Sequence, residues 1–281
     1  MKYGVTAATG KFGRTALTDL IKIVGKDQVV AFARNLEKAK KVLPAGIEVR
    51  QADYTDAAGL RTAFAGIERL LFISSVPGNE YPRDKQHLNV VKAATAAKID
   101  FIAYTSFPHA ETANSPLAAD HQKTEHYLEE SGLKYAFLRN NWYLENQAGL
   151  IKEALAGKPF RFSAGDGRVG WALEREYAEA AVKVLTSVAP KKIYEFAGPS
   201  RSFGELASEL KQFSEKEFEV ESLSDAEYRK TLEAEGLGAA ADVIIMIQTL
   251  IRDGELTEET NDLPTVLGHA LTPLAEAVKE L

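Results

Sequence analysis

Tyr3-Gly4-Val5-Thr6-Ala7-Ala8-Thr9-Gly10-Lys11-Phe12-Gly13, then an amphipathic run, then Val29-Val30-Ala31-Phe32-Ala33-Arg34, is the stretch whose reading decides the fold. Both ends are short, apolar and rich in β-branched or aromatic side chains, as buried parallel strands are. Between them Ala16, Leu17, Leu20, Ile21 and Val24 recur at helical spacing, and Gly25 stands where a helix C-terminal glycine belongs. The stretch reads as strand, glycine-bearing turn, helix, strand. Such a unit suits a dinucleotide. Gly10 lets the backbone approach a pyrophosphate, Gly13 lets the helix pack close to its strand, and the positive end of the helix faces the phosphates. Ala7 departs from the usual loop: it stands three residues before Gly10, where G-x-x-G-x-x-G has its first glycine, and its methyl excludes backbone angles open to glycine.

The end of the second strand separates two cofactors. An NAD site places an acid about 20 residues past the glycines to bind the ribose 2′-hydroxyl, whereas an arginine suits a 2′-phosphate. Here the strand ends in Ala33-Arg34-Asn35 with no acid before Glu37. Arg34, with Lys38 nearby, can hold a phosphate through forked, charge-assisted hydrogen bonds. The competing account is a solvated arginine opening the next helix. The reading is NADPH over NADH.

Beyond Arg34 the alternation continues. Helix is expected over 37–43, stopped by Pro44, and strand over 47–52. Asp53-Tyr54-Thr55-Asp56 leads into a helix carrying Leu60, Ala63 and Phe64. Leu70 to Ile73 is a strand ending in Ser74-Ser75, and a helix through Val90, Val91, Ala94 and Ala97 leads to the strand Phe101 to Tyr104. A helix over 120–130 precedes the strand Tyr135 to Leu138. This is an α/β fold, a Rossmann-type, doubly wound parallel sheet. The expected division is an NAD(P)-binding Rossmann domain over 1–140 and a smaller mixed α/β C-terminal domain over 141–281, some of whose segments return to the sheet. In the second half Phe160-Arg161-Phe162 and Gly165-Asp166-Gly167 suggest a hairpin. Helix is expected over 174–186 and strand over 192–197. Ser202…Glu205 and Ser224…Glu227 each fit a capping box, and Thr272-Pro273 starts a last helix with proline at its first position. Val243 to Ile247 reads as a buried helix, or else as a mobile lid or dimer surface.

Composition narrows the classes. The 281 residues allow a sizeable core, and 34 basic against 40 acidic residues, a formal net charge of −6, give no attraction to nucleic acid or to anionic membrane. No apolar run has membrane-spanning length, and a strand at the N-terminus without a signal-peptide pattern points to the cytoplasm. With no cysteine there is no disulfide, thiolate or iron–sulfur chemistry. No metal site is expected, because His121 and His126 fall on different faces of a helix.

In such a sheet the ligand lies across the carboxyl ends of the strands. Asp53 stands there to receive an adenine amino group, or to cap the following helix. Ser74 and Ser75 end the fourth strand where a nicotinamide ribose should lie, although serine is also a turn former. Thr105 and Ser106 follow the fifth strand, and Asn140 and Asn141 the sixth.

These residues have a family look. Thr6 to Gly13, Arg34-Asn35, Gln51-Ala52-Asp53-Tyr54, Phe101 to Ser106 and Leu138-Arg139-Asn140-Asn141-Trp142-Tyr143 resemble, in order and spacing, the NmrA-like atypical short-chain dehydrogenases. The likeness is strongest to the bacterial type 2 NAD(P)H:quinone oxidoreductases, with weaker matches at Ile193 to Gly198 and Val266 to His269. The resemblance implies NADPH without flavin and hydride passing directly to a quinone; the expected assembly is a monomer or homodimer. It implies that Thr6, Ala8, Thr9, Gly10, Lys11, Phe12, Gly13 and Arg34 hold the phosphate end of the cofactor, with Asp53, Ser74 and Ser75 along its length. Tyr104, Thr105, Ser106, Phe107, Asn141 and Trp142 would line the nicotinamide and substrate end.

The proton donor of ordinary short-chain dehydrogenases, Tyr-x-x-x-Lys, is matched only by Tyr81 and Lys85, after the wrong strand and interrupted by Pro82. A quinone needs less help, so positioning and a few donors suffice. His121 and Lys123 are the candidate donors, with Tyr104 and Asn141 beside them; alternatively His121 and Lys123 are solvated first-turn residues. Azo or triphenylmethane dyes would serve equally as flat acceptors. An NADP-sensing regulator of the same family, without turnover, fits the missing pair as well.

Overall fold

The computed structural model describes residues 1–78 and 80–281. In chain order the first part runs β1 (Tyr3–Val5), α1 (Lys11–Val24), β2 (Val29–Ala33), α2 (Leu36–Val42), β3 (Glu48–Gln51), α3 (Ala57–Ala63) and β4 (Arg69–Phe72). It continues with α4 (Arg83–Ala96), β5 (Phe101–Ser106), α5 (Ala119–Glu130) and β6 (Lys134–Asn140). Then come α6 (Ala148–Leu155), β7 (Phe160–Phe162), β8 (Arg168–Val169), α7 (Glu174–Thr186), β9 (Ile193–Phe196) and β10 (Arg201–Ser202). The chain closes with α8 (Phe203–Lys211), β11 (Val220–Ser222), α9 (Asp225–Ala234), α10 (Ala241–Arg252), α11 (Asp262–Leu267) and α12 (Leu274–Ala277).

Seven of these strands form one parallel sheet in the order β3-β2-β1-β4-β5-β6-β9. Residues of β1, β2 and β5 are buried throughout, which is why their sequences do not alternate between apolar and polar positions. The strand order reverses between β1 and β4. That switch point opens a crevice at the carboxyl ends of these two strands, where open α/β sheets take their ligands. Behind it Phe32, Leu60, Phe64, Leu70, Phe72, Val90, Tyr104 and Phe137 share one core. Two aromatic edges, Phe32 on Phe64 and Tyr54 on Phe72, meet at 5.0 and 5.6 Å.

The chain divides into two units, one of residues 1–140, 175–196 and 265–268, the other of 141–174, 197–264 and 269–281. The first holds the seven-stranded sheet. In the second, the expected hairpin after Phe160 does not form: β7 pairs in parallel with β11, and β8 pairs antiparallel with β10. The reason lies in the turn. A Cβ on Gly167 would stand 2.3 Å from the carbonyl oxygen of Ile251, so the turn packs against the end of α10 and does not fold β8 back on β7. Ser202 and Ser224 each close a capping box as their sequences dictate. Pro273 is the N-cap of α12, one place earlier than expected. Among the described residues no helix is long and apolar enough to cross a membrane.

Candidate active site

The phosphate cradle is built from β1, α1 and the turn between them. Thr6 locks the turn from behind: fully buried, its hydroxyl accepts from the Ile73 amide at 2.9 Å and from the Tyr54 hydroxyl at 2.5 Å. Ala8, also buried, donates its amide to the Phe32 carbonyl at 3.1 Å. These two residues therefore hold the loop's shape, and Thr9, Gly10 and Lys11 present its outer surface. Ala7 adopts φ 47°, so the departure from glycine leaves the left-handed turn intact with an alanine bearing its strain. Gly10 donates to the Ala7 carbonyl at 3.0 Å, and Gly13 presses α1 onto that same carbonyl, where a Cβ would sit 2.4 Å from the oxygen. No side chain caps the start of α1 and its first turn carries no acid. Backbone donors, a positive helix end and the absence of a competing carboxylate fit a pyrophosphate. Phe12 is buried against the fold.

Arg34 stands exposed at the end of β2 and makes no ion pair among the described residues, while its carbonyl accepts from Gln51. A cation left unpaired at this place suits a 2′-phosphate. Asp53 does not cap α3. That role belongs to Asp56, which accepts from the amides of Ala58 and Gly59. Asp53 instead uses Oδ1 to accept from the amide and hydroxyl of Thr55, both at 2.9 Å.

At the other end of the crevice Ser74, Thr105, Ser75 and His87 are tied together. Thr105 Oγ1 accepts from the Ser74 amide at 2.9 Å, and the Ser75 amide donates to His87 Nε2 at 3.0 Å. That donation fixes the proton of His87 on Nδ1, which lies 2.8 Å from Thr124 Oγ1. Burial, reinforced by the Arg83 charge, lowers the His87 pKa to about 3. Arg83, absent from the sequence reading, donates Nε to the Ser75 carbonyl at 2.6 Å and a terminal nitrogen to His121 Nε2 at 3.1 Å. His121 Nδ1 then faces the Tyr104 hydroxyl at 2.8 Å.

This arrangement revises three expected donors. His121 is buried, both ring nitrogens are engaged, and burial, then Arg83 and His87, hold its pKa well below the usual histidine value. In this arrangement it is neutral and holds Arg83 in place. Tyr104 is fully buried among Phe72, His87 and His121, and burial raises its pKa. Its side chain has no surface with which to touch a ligand. Lys123 is exposed on α5 and pairs with Asp84 at 3.3 Å. Tyr81 and Lys85 have separate partners, Asn89 and Asp84.

Ser106 and Phe107 also face inward. Ser106 donates to Glu125 Oε1 at 2.5 Å, and Glu125 grips Arg139 through both oxygens, at 3.0 and 2.7 Å. Arg139 further pairs with Glu195 at 2.8 Å and with Glu111. Burial opposes that charge, but the carboxylates outweigh it and keep the guanidinium pKa raised. The buried network fastens β5, α5, β6 and β9, and nothing in the spacing of these residues announced it. Phe107 packs beside His121, ring centres 6.1 Å apart.

Asn141 and Trp142 open the second unit. Asn141 is buried, with its amide donating to the Leu256 carbonyl at 3.1 Å and its oxygen accepting from the Trp142 amide at 2.8 Å. It braces the chain between Trp142 and Leu256. Trp142 lines a cavity of about 730 Å³ with Leu150, Tyr228, Leu232, Ile244 and Ile247. The greasy segment of α10 is thus neither wholly core nor wholly surface: Ile244 and Ile247 face the cavity, whereas Val243 is 54% exposed.

Comparison with known proteins agrees with this geometry. Residues 7–169 match the model of a family described as NAD(P)H-binding. Quinone oxidoreductase 2 of Escherichia coli K12 is 40% identical over 99% of this chain and 97% of its own. The crystal structure of an NADPH-dependent quinone oxidoreductase from Escherichia coli with NADPH superposes with a TM-score of 0.91 at 39% identity, covering 99% of each chain. The triphenylmethane reductase of a Citrobacter species, solved with NADP(H), gives 0.93 at 35% identity over 100% of this chain and 99% of that one. A glycine-bearing cradle beneath α1, a free arginine at the end of β2 and relatives alike from end to end lead to one conclusion: the chain belongs to the NAD(P)H-binding family, among its NmrA-like oxidoreductases.

Proposed function

We propose that this enzyme is an NADPH-dependent, flavin-independent reductase of quinones or similar flat conjugated acceptors. The observation that carries the reading is Arg34, exposed at the place where a 2′-phosphate would lie and without an ion-pair partner among the described residues. The relatives named for quinone and triphenylmethane reduction support the substrate class. Bound nicotinamide supplies a hydride directly to the acceptor. The chain's own part is to hold and exclude. The turn at Gly10 and the start of α1 bind the pyrophosphate, Arg34 the 2′-phosphate and Asp53 Oδ2 the adenine. Ser74 and Ser75, fixed by Thr105 and His87, set the floor at the ribose. Residues 1–140 carry nucleotide binding and residues 141–281 contribute acceptor contacts, Trp142 among them. No side chain here acts as a general acid, so the proton that completes the product comes from solvent.

NADPH oxidation with and without 1,4-benzoquinone tests the reading, with NADH and an Arg34→Ala variant alongside. Quinone-dependent turnover is expected, and the variant should lose about tenfold to a hundredfold in kcat/KM for NADPH, with little change for NADH. Tight NADPH binding without turnover across a panel of acceptors would identify an NADP-sensing regulator instead.

A further inference from the structure

Arg83 is a cation held in place without being neutralised. It opens α4 directly beyond the Ser74–Ser75 segment, at the carboxyl edge of β4 and β5. Its two partners, the Ser75 carbonyl and His121 Nε2, are both uncharged. The remaining terminal nitrogen, Nη1, has no hydrogen-bond partner among the described residues, and no carboxylate there lies within ion-pair distance. Asp84, its neighbour in sequence, is engaged by Lys123 at 3.3 Å and Lys85 at 3.9 Å. Asp120 on α5 acts on it only from farther away. Tyr104 and His87, behind the pair, are neutral as well. Half-buried guanidinium groups are normally matched with an acid, because partial desolvation of a charge is costly. This one is built to keep its charge available.

We propose that Arg83 is the specificity-determining cation of the acceptor site, stabilising the oxyanion of a reduced quinone and disfavouring acceptors that are themselves cations. The proposal rests on the reductase reading above. A quinone takes two electrons and one hydrogen from the C4–H bond of NADPH and becomes a hydroquinone monoanion. NADP⁺ is left, and a solvent proton then completes the hydroquinone. Negative charge grows on oxygen as the new bond forms, so a fixed cation with a spare donor acts where charge develops. A triarylmethyl cation takes the same hydride on its central carbon and ends neutral. It develops no anion, and a nearby guanidinium only repels it. His121 is a positioning residue in this scheme: as a neutral acceptor it orients the guanidinium without adding or cancelling charge.

Steady-state NADPH oxidation by the full chain tests the proposal with two acceptors, 1,4-benzoquinone and the triarylmethyl cation crystal violet. Arg83→Gln should lower kcat/KM for the quinone about 10²-fold, chiefly in kcat. It should leave the Kd for NADPH within about twofold and leave or raise kcat/KM for crystal violet, because the oxyanion contact is made only in the transition state. Arg83→Lys, which keeps the charge, should recover most of the quinone activity. Equal loss on both acceptors, or no loss on the quinone, overturns the proposal and reduces Arg83 to a pin for the 75–83 segment. Should Arg83→Gln fail to fold, wild-type competition decides. 2-Naphthoate should inhibit quinone reduction at least about tenfold more tightly than the isosteric 2-naphthamide, the scale of a charge-assisted hydrogen bond. Equal inhibition overturns the proposal. Wild-type protein without turnover on any acceptor overturns the reductase reading itself, whereas acceptor-independent loss in the variant overturns only the role of Arg83.

Discussion

Ala7 and Gly13 show how much a single methyl matters. At φ 47° the Ala7 backbone bears a cost of about 1 kcal/mol that glycine would not. The strain is retained because the Ala7 carbonyl does two things: it receives the Gly10 amide and floors the first turn of α1 at Gly13. A methyl on Gly13 would lie 2.4 Å from that oxygen and 2.9 Å from the Ala8 Cα, both backbone atoms that cannot swing aside. Gly13→Ala should therefore lower unfolding free energy by about 1–3 kcal/mol in urea titrations. It should also weaken NADPH binding about tenfold or more by fluorescence titration, because the helix end is pushed from the phosphates. Wild-type affinity in the variant would show that the loop is softer than its contacts imply.

At the scale of elements, His87 ties the end of β4 to α5 through Ser75 and Thr124. It is neutral in the fold and ionises readily once exposed. With a folded pKa of about 3 against an ordinary 6.5, the unfolded chain binds the extra proton between these values. Stability is thus fully present above about pH 6.5 and lost as pH falls toward 3, at about 1.4 kcal/mol per pH unit for this group. His121, lowered in the same direction, adds to the slope. Urea midpoints measured between pH 7 and 4.5 should fall, and His87→Gln should flatten that fall. The helices, strands and cradle were legible because their signals are local: periodicity, glycines, capping boxes. Which way each strand-end side chain faces was not. Residues of β5 are buried on both sides, so its sequence carries no alternation to show that Tyr104 and Ser106 turn inward. Nor can spacing reveal Arg83 or the Arg139–Glu125–Glu195 network, whose members meet only when distant segments pack.

The molecule as a whole is not assembled in sequence order. The seven-stranded sheet is complete only when β9 lies beside β6, yet α6, β7, β8 and α7 come between them in the chain. A fragment of residues 1–140 should be insoluble or self-associated by size-exclusion chromatography, because the hydrogen-bonding edge of β6 is left open and Arg139 loses Glu195. A monomeric, folded fragment would show that β9 is dispensable. The segment 265–268 belongs to the same unit, and the Lys183 amine on α7 donates to its Leu267 carbonyl. On the ribosome, at about 5–20 residues per second, that last contact becomes possible only about 10–50 seconds after the nucleotide cradle has left the exit tunnel. The glycine turn and Arg34 thus leave the ribosome first, and the sheet that carries them is closed last, by β9 and then by the 265–268 segment.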